Sequence, residues 1–300
     1  MNNNSDYRKY LQPEVIARLQ NIEMKARLVV EGFITGLHRS PYHGFSVEFS
    51  EHRQYRPGDE VKKIDWKVFG RTERFYVKQF EEETNLRCVL AVDTSASMNF
   101  SAQGRISKFE YAIYLAAAIS VLLIKQRDAV GLALYDTKIK KYLPPNSRQS
   151  YLGEILKALD STTPANETGT ADALDSLAER ISRRGLVIII SDFFDKPESV
   201  LNALKHFRHQ KHEVVAFQVL DQRELDFKFG KSAVFKDMET GEEIVTQPYH
   251  INKSYTKAVE EHINLIKREC YSHNIDYHLI NTSMPYDKAL RDYLTKRNNM

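Results

Sequence analysis

The sequence predicts an α/β protein built on a doubly wound, mostly parallel sheet, preceded by a small N-terminal helix and β-rich unit. Three observations predict it. From Leu86 onward, short apolar runs alternate with long helical segments. Most of those runs are continuously apolar rather than alternating, as parallel strands covered on both faces must be. Three of them pass directly into an aspartate, Asp93, Asp136 and Asp221, and a fourth reaches Asp192 after one serine.

The first region spans residues 1–84. A helical pattern from Pro13 to Val30 places Val15, Leu19, Ile22 and Ala26 at spacings of three or four. Aromatic and β-branched stretches follow at Phe45–Phe49 and Phe75–Phe80, separated by turn chemistry at Pro57-Gly58-Asp59. The second region, residues 85–297, carries predicted strands at Leu86–Val92, Ala129–Tyr135, Leu186–Ile190, Val214–Leu220 and Asp276–Ile280. Between and after them lie predicted helices at Ile106–Gln126, Ser150–Leu159, Ala171–Arg183, Glu198–Gln210, Ser254–Ser272 and Tyr286–Lys296. Strand–helix alternation of this kind implies right-handed crossovers. Ala233–Phe235 and Glu243–Val245, joined through Glu239-Thr240-Gly241, predict a hairpin inserted at about residues 227–248.

Composition narrows the function classes. The 300 residues are 42% hydrophobic and 28% charged, within the ordinary globular range. A net charge of +3 from 43 basic and 40 acidic residues offers no electrostatic footprint for nucleic acid or an anionic membrane. Two cysteines, Cys88 and Cys270, exclude a disulfide scaffold and are expected to be inert buried thiols. The start of the chain is polar and Asn-rich, and the longest apolar window, Ala112–Ile124, contains Ser120 and is too short to span a bilayer. A cytoplasmic protein is the expectation. Trp66, the only tryptophan, is expected to be buried with a partner for its N–H. His206, His209 and His212 are expected to mark a surface helix end, and Asp136 and Asp221 to serve turns or caps.

The first strand end carries the chemistry. It reads Val92-Asp93-Thr94-Ser95-Ala96-Ser97-Met98, a D-x-S-x-S pattern. One carboxylate and two hydroxyls leave a tight loop on alternate residues and can converge on one point. Such hard oxygen donors suit magnesium or manganese. In an open parallel sheet, ligands bind beyond the carboxyl ends of the strands, where this loop lies.

With a Thr in a later loop and an Asp ending a further strand, this resembles the von Willebrand factor A domain and its metal-ion-dependent adhesion site. The Thr matches in Glu167-Thr168-Gly169-Thr170-Ala171-Asp172, with Thr170 competing with Thr168 for the role, and the Asp matches in Ile190-Ser191-Asp192. The resemblance implies Ser95, Ser97 and Thr168 as direct or near-direct ligands, with Asp93 and Asp192 acting largely through water. The stretch from Glu48-Phe49 through Arg53, Tyr55, Pro57-Gly58-Asp59 and Ile64-Asp65-Trp66 also resembles domain-of-unknown-function family 58. That family joins a small β unit to a von Willebrand A-like domain, and its members typically accompany MoxR-type AAA+ ATPases. A non-enzymatic, magnesium- or manganese-dependent adaptor for such an ATPase is what the resemblance implies. The alternatives are a metal-dependent phosphoryl-transfer enzyme and a scaffold with a vacant site. An enzyme of the haloacid-dehalogenase type needs a second Asp two residues after the first, where Ser95 stands. The sequence also lacks a phosphate-binding G-x-x-x-x-G-K-[ST] loop and a G-x-S-x-G elbow.

Overall fold

The computed structural model describes residues 12–19, 21–38, 52–55, 66–78, 86–102, 105–165, 169–229, 233–236, 238 and 242–290. Phe45–Phe49, Pro57-Gly58-Asp59 and Thr168 lie outside these residues. The chain divides into two compact units, Met1–Pro41 with Leu86–Met300, and Tyr42–Asn85. The N-terminal helix therefore groups with the large α/β unit, rather than with the small β unit that follows it in sequence.

The large unit is built on a six-stranded sheet of order β10-β7-β6-β3-β4-β5. Its strands are β3 (Arg87–Asp93), β4 (Ala129–Tyr135), β5 (Ile139–Asn146), β6 (Leu186–Ser191), β7 (Glu213–Leu220) and β10 (Asp276–Asn281). All neighbours pair in parallel except β4 with β5, which are antiparallel. The chain winds outward from β3 through β4 to β5, then returns to β6 on the other side of β3. The carboxyl ends of β3 and β6 thus flank the topological switch point.

Sequence period explains the layers. Val89 and Ala91, Ala133 and Tyr135, Val187 and Ile189, and Val214 and Ala216 all enter one buried cluster. That cluster is completed by α6 (Thr170–Arg180), α7 (Pro197–His209) and α9 (Pro248–Ser272). Alternation leaves Leu90, Leu132, Ile188 and Val215 for the opposite face. There α4 (Lys108–Lys125) packs against β3, β4 and β7. Sixteen α4 residues are buried, so this helix is covered on all sides. Its outer side meets α2 (Ile22–His38) and α5 (Tyr151–Asp160).

The predicted Pro13–Val30 helix is two, α1 (Pro13–Ala17) and α2. Asn21 starts the second by accepting the Glu23 N–H at 2.7 Å on its side-chain oxygen. Strand β5, with prolines at 144 and 145, was not expected, nor was the short helix α8 (Gln222–Asp226). The inserted hairpin is present as β8 (Ala233–Lys236) paired antiparallel with β9 (Glu243–Thr246). Phe227 stacks on Phe235 and meets Tyr255 of α9 at a centroid distance of 4.1 Å, which anchors the hairpin's approach.

The small unit pairs β1 (His52–Gln54) with β2 (Tyr76–Lys78) and carries α3 (Trp66–Thr72), a helix where only strands were expected. Trp66 is 55% exposed, not buried. It packs edge-on against Phe69 and Phe75 instead of entering a core. Both cysteines are free and buried as expected. Among the described residues no helix is long and apolar enough to cross a membrane.

Gly153 lies on the exposed side of α5 with nothing within 4 Å of where a β-carbon would stand. Gly153→Ala should therefore stabilise the protein by about 0.5–1 kcal/mol, through helix propensity alone. A urea titration that finds it neutral or destabilising would contradict the open environment of this position.

Candidate metal centre

Asp93 is the last residue of β3, and its side chain shares the face of Ala91. It is fully buried. One carboxylate oxygen accepts the Ser95 N–H at 2.9 Å. The other accepts the Ser191 hydroxyl at 2.6 Å. Ser95, also fully buried, leads into a single 3-10 turn, Ala96–Asn99, which brings Ser97 back over it. The Ser95 and Ser97 hydroxyl oxygens stand 3.1 Å apart. Thr94 points the other way, tying the loop to β4 by donating to the Tyr135 carbonyl through both its N–H and its hydroxyl.

Asp192 follows β6, the neighbour of β3, and is likewise fully buried. Gln218 on β7 donates to its backbone carbonyl at 2.7 Å, and Tyr277 on β10 donates to Gln218 in turn. Phe193, the next residue, takes a left-handed backbone with φ 54°. For a bulky side chain that is a costly conformation, held here by complete burial and by His262 donating to its carbonyl at 3.0 Å. Thus Asp93, Ser95, Ser97 and Asp192 all lie at the carboxyl edge of two adjacent parallel strands.

The loop between α5 and α6 reaches the same edge, since the Ala165 N–H donates to the Thr94 carbonyl at 3.0 Å. Thr168 falls outside the described residues. Thr170, at the first position of α6, is fully buried, and its hydroxyl has no hydrogen-bond partner among the described residues. The Tyr135 hydroxyl, also fully buried, lies by Ser191 and the Asp93 charge but meets no partner at hydrogen-bonding geometry among the described residues. Asp93, Ser95 and Ser97, joined by hydrogen bonds, and Asp192, whose charge acts on Asp93, are oxygen donors of the kind a hard divalent cation takes. The serine pair fits in spacing too, because adjacent ligands of an octahedron with bonds of about 2.1 Å lie about 3.0 Å apart.

Charge points the same way. Burial pushes the Asp93 carboxyl up to about 6 and the Asp192 charge adds to it, while hydrogen bonds from Ser191 and Ser95 pull it back. Asp192 has a cation of its own. Lys108, only 1% exposed at the first position of α4, places its ammonium 2.7 Å from Asp192 and 2.6 Å from Glu224 on α8. Burial alone would favour a neutral lysine, but the charges of Asp192 and Glu224 outweigh it and hold the ammonium above its ordinary range. The sequence reading missed Ser191, Lys108 and Glu224. Ser191 adjoins Asp192 in sequence, and a cation in a helix's first turn is disfavoured by the macrodipole, the one local sign that Lys108 faces inward. Asp221 and Asp136 do the expected work. Asp221 caps α8 in a reciprocal box with Glu224, and Asp136 pairs with Lys140 across the β4–β5 turn. Of the three histidines, His206 pairs with Asp175 near the α7 end, whereas His212 is buried rather than on the surface.

These features define a doubly wound α/β domain with an oxygen-rich site at its switch point. The family described as "Protein of unknown function DUF58" matches residues 51–264, and the chain belongs to it. Uncharacterized proteins of Mycobacterium bovis and Mycobacterium tuberculosis are each 30% identical to it over 233 residues, 76% of this chain and 72% of theirs. Among solved structures, a conserved hypothetical protein BatB from Bacteroides thetaiotaomicron is similar at 17% identity and a TM-score of 0.48, covering 72% of this chain and 100% of that one. An aerotolerance-related membrane protein from Bacteroides fragilis is similar at 19% identity and a TM-score of 0.47, over 70% of this chain and 99% of that one.

Proposed function

We propose that this chain is a non-enzymatic, cytoplasmic interaction module that docks an acidic residue of a partner protein through a divalent cation, magnesium or manganese. Ser95, Ser97 and a threonine of the α5–α6 loop would hold the cation directly, with Thr168 and Thr170 competing for the third place. Asp93 and Asp192 would act through water. The carrying observation is the Ser95–Ser97 hydroxyl pair, 3.1 Å apart, beside a fully buried Asp93 whose charge has hydrogen-bond donors but, among the described residues, no cation paired with it. When bound, the metal supplies an electrophilic position for an incoming carboxylate. Without it, Asp93 and Asp192 repel that carboxylate. A phosphoryl-transfer role is disfavoured because Ser95 stands where the leaving-group acid would be needed. The resemblance to family 58 supports a MoxR-type AAA+ ATPase as the partner.

The test is titration of such an ATPase with wild-type protein and with Ser95→Ala, each in magnesium and in chelator. Wild-type affinity should fall by at least about tenfold in chelator, and the variant should be weak in both. Independently of any partner, saturating magnesium at about 100 times Kd should stabilise the wild type by roughly 2.7 kcal/mol and leave Ser95→Ala unmoved. Equal affinities in all four arms would dismiss metal-dependent docking. No stabilisation by either metal would dismiss the cation site itself.

A further inference from the structure

We propose that the chain carries a second ligand site, for a phosphate or phosphomonoester group, at the amino edge of the sheet opposite Asp93 and Asp192. A cavity of about 160 Å³ opens there, well above what one water needs. Its walls come from the start of β3, the turn between α6 and β6, and the end of β5, which runs antiparallel and so finishes at this edge. Three arginines line it: Arg87, Arg180 and Arg183. No carboxylate among the described residues lines it with them. Tyr142, from β5, lines it beside them, and the charges of Arg87 and Arg180 both act on its hydroxyl.

Arg184, next in sequence, has its own partner in Glu213 at 3.7 Å, whereas Arg87, Arg180 and Arg183 make no ion pair among the described residues. Arg180 lies in the last turn of α6, where the helix dipole welcomes a cation. That accounts for one guanidinium of the three. Arg87 begins a buried strand and Arg183 lies beyond the helix end, so neither gains from a dipole. Like charges brought together repel, and an anion between them removes the cost.

The wall is also built to hold this shape. A β-carbon on Gly185 would collide with the Arg87 carbonyl oxygen, so only glycine lets the Arg183-bearing turn lie against the start of β3. The buried His212 fixes the turn by accepting the Gly185 N–H at Nδ1, 3.2 Å away. Planar guanidiniums with several donors each favour a tetrahedral oxyanion, which they grip in paired hydrogen bonds, over a monovalent halide.

The experiment titrates the full chain with inorganic phosphate and, separately, with O-phosphoserine, followed by calorimetry. Ionic strength is held constant with chloride, and chelator is present so that no cation at the carboxyl edge can bind the anion. Wild-type protein should bind at least one of them saturably. Arg180→Gln with Arg183→Gln, both exposed positions, should weaken binding at least about tenfold while circular dichroism stays unchanged. Should that pair fail to fold, Arg87→Gln is measured in its place, with the same loss expected. Tighter phosphoserine binding assigns the site to an esterified ligand, and equal or tighter inorganic phosphate assigns it to the free anion. No saturable binding of either by the wild type up to about 10 mM, or unchanged affinity in the variants, would overturn the site.

Discussion

Lys108→Met should destabilise the protein by about 3–5 kcal/mol, the cost of leaving buried charge without its partner. The lysine lies at the first position of α4, fixed there by a Ser107–Glu110 capping box, where the helix dipole opposes a positive charge. Its side chain is 1% exposed, so water offers no alternative. What holds it is two carboxylates, Asp192 at 2.7 Å and Glu224 at 2.6 Å. Removing the ammonium would leave both acids buried and repelling each other, with Asp93 close by on the same edge. Glu224→Gln should cost less, about 1–2 kcal/mol, because the amide can still accept a hydrogen bond and the Lys108–Asp192 pair survives. Urea denaturation of the three proteins side by side reads the difference. A Lys108→Met loss below about 1 kcal/mol would show that the lysine is not held in this bridge.

The contrast between Asp93 and Lys108 shows what could be read in the sequence. Asp93, Ser95 and Ser97 belong to one local pattern, and a single turn brings them together, so their spacing carries their geometry. Lys108 meets Asp192 and Glu224 across 84 and 116 residues, and nothing in any one segment announces that meeting. The buried strands were legible for a similar reason: Leu186–Ser191 is apolar at every position but the last because helices cover both faces. Strand β5 was not. As an antiparallel edge strand it carries Lys140, Lys141 and two prolines, the features by which edges avoid further pairing and by which they stop resembling strands. Helix α2 belongs with the α/β unit because it covers the outer face of α4, a contact between segments about 80 residues apart that hydrophobic period cannot assign. Trp66 fails as a core residue: among the described residues of its unit it meets Phe69 and Phe75 edge-on and leaves more than half of its surface exposed.

Gly185→Ala should be more damaging than Gly131→Ala or Gly153→Ala, costing about 3 kcal/mol, the upper range for overpacking. The position lies just before β6, where that strand joins β3 through Cys88 and Leu186. The atom a new β-carbon would strike is the Arg87 carbonyl oxygen, part of the backbone, with the Arg87 carbonyl carbon and β-carbon each 3.2 Å away. A side chain can rotate aside, but backbone at this place can yield only by parting the two central strands of the sheet. Gly131→Ala makes an instructive comparison. Its β-carbon would meet the Leu143 carbonyl oxygen at 2.7 Å and the Pro145 nitrogen at 2.8 Å, also backbone atoms. Those atoms belong to β5, however, an edge strand whose register is already shifted opposite Gly131 and which can peel away without disturbing β3 and β6. The expected order of stability is therefore Gly153→Ala above wild type, then Gly131→Ala, then Gly185→Ala lowest. Denaturation midpoints measure it directly. If Gly185→Ala falls within about 0.5 kcal/mol of wild type, the close approach of the Gly185 turn to β3 is wrong, and the anion cavity that this turn walls would lose its shape with it.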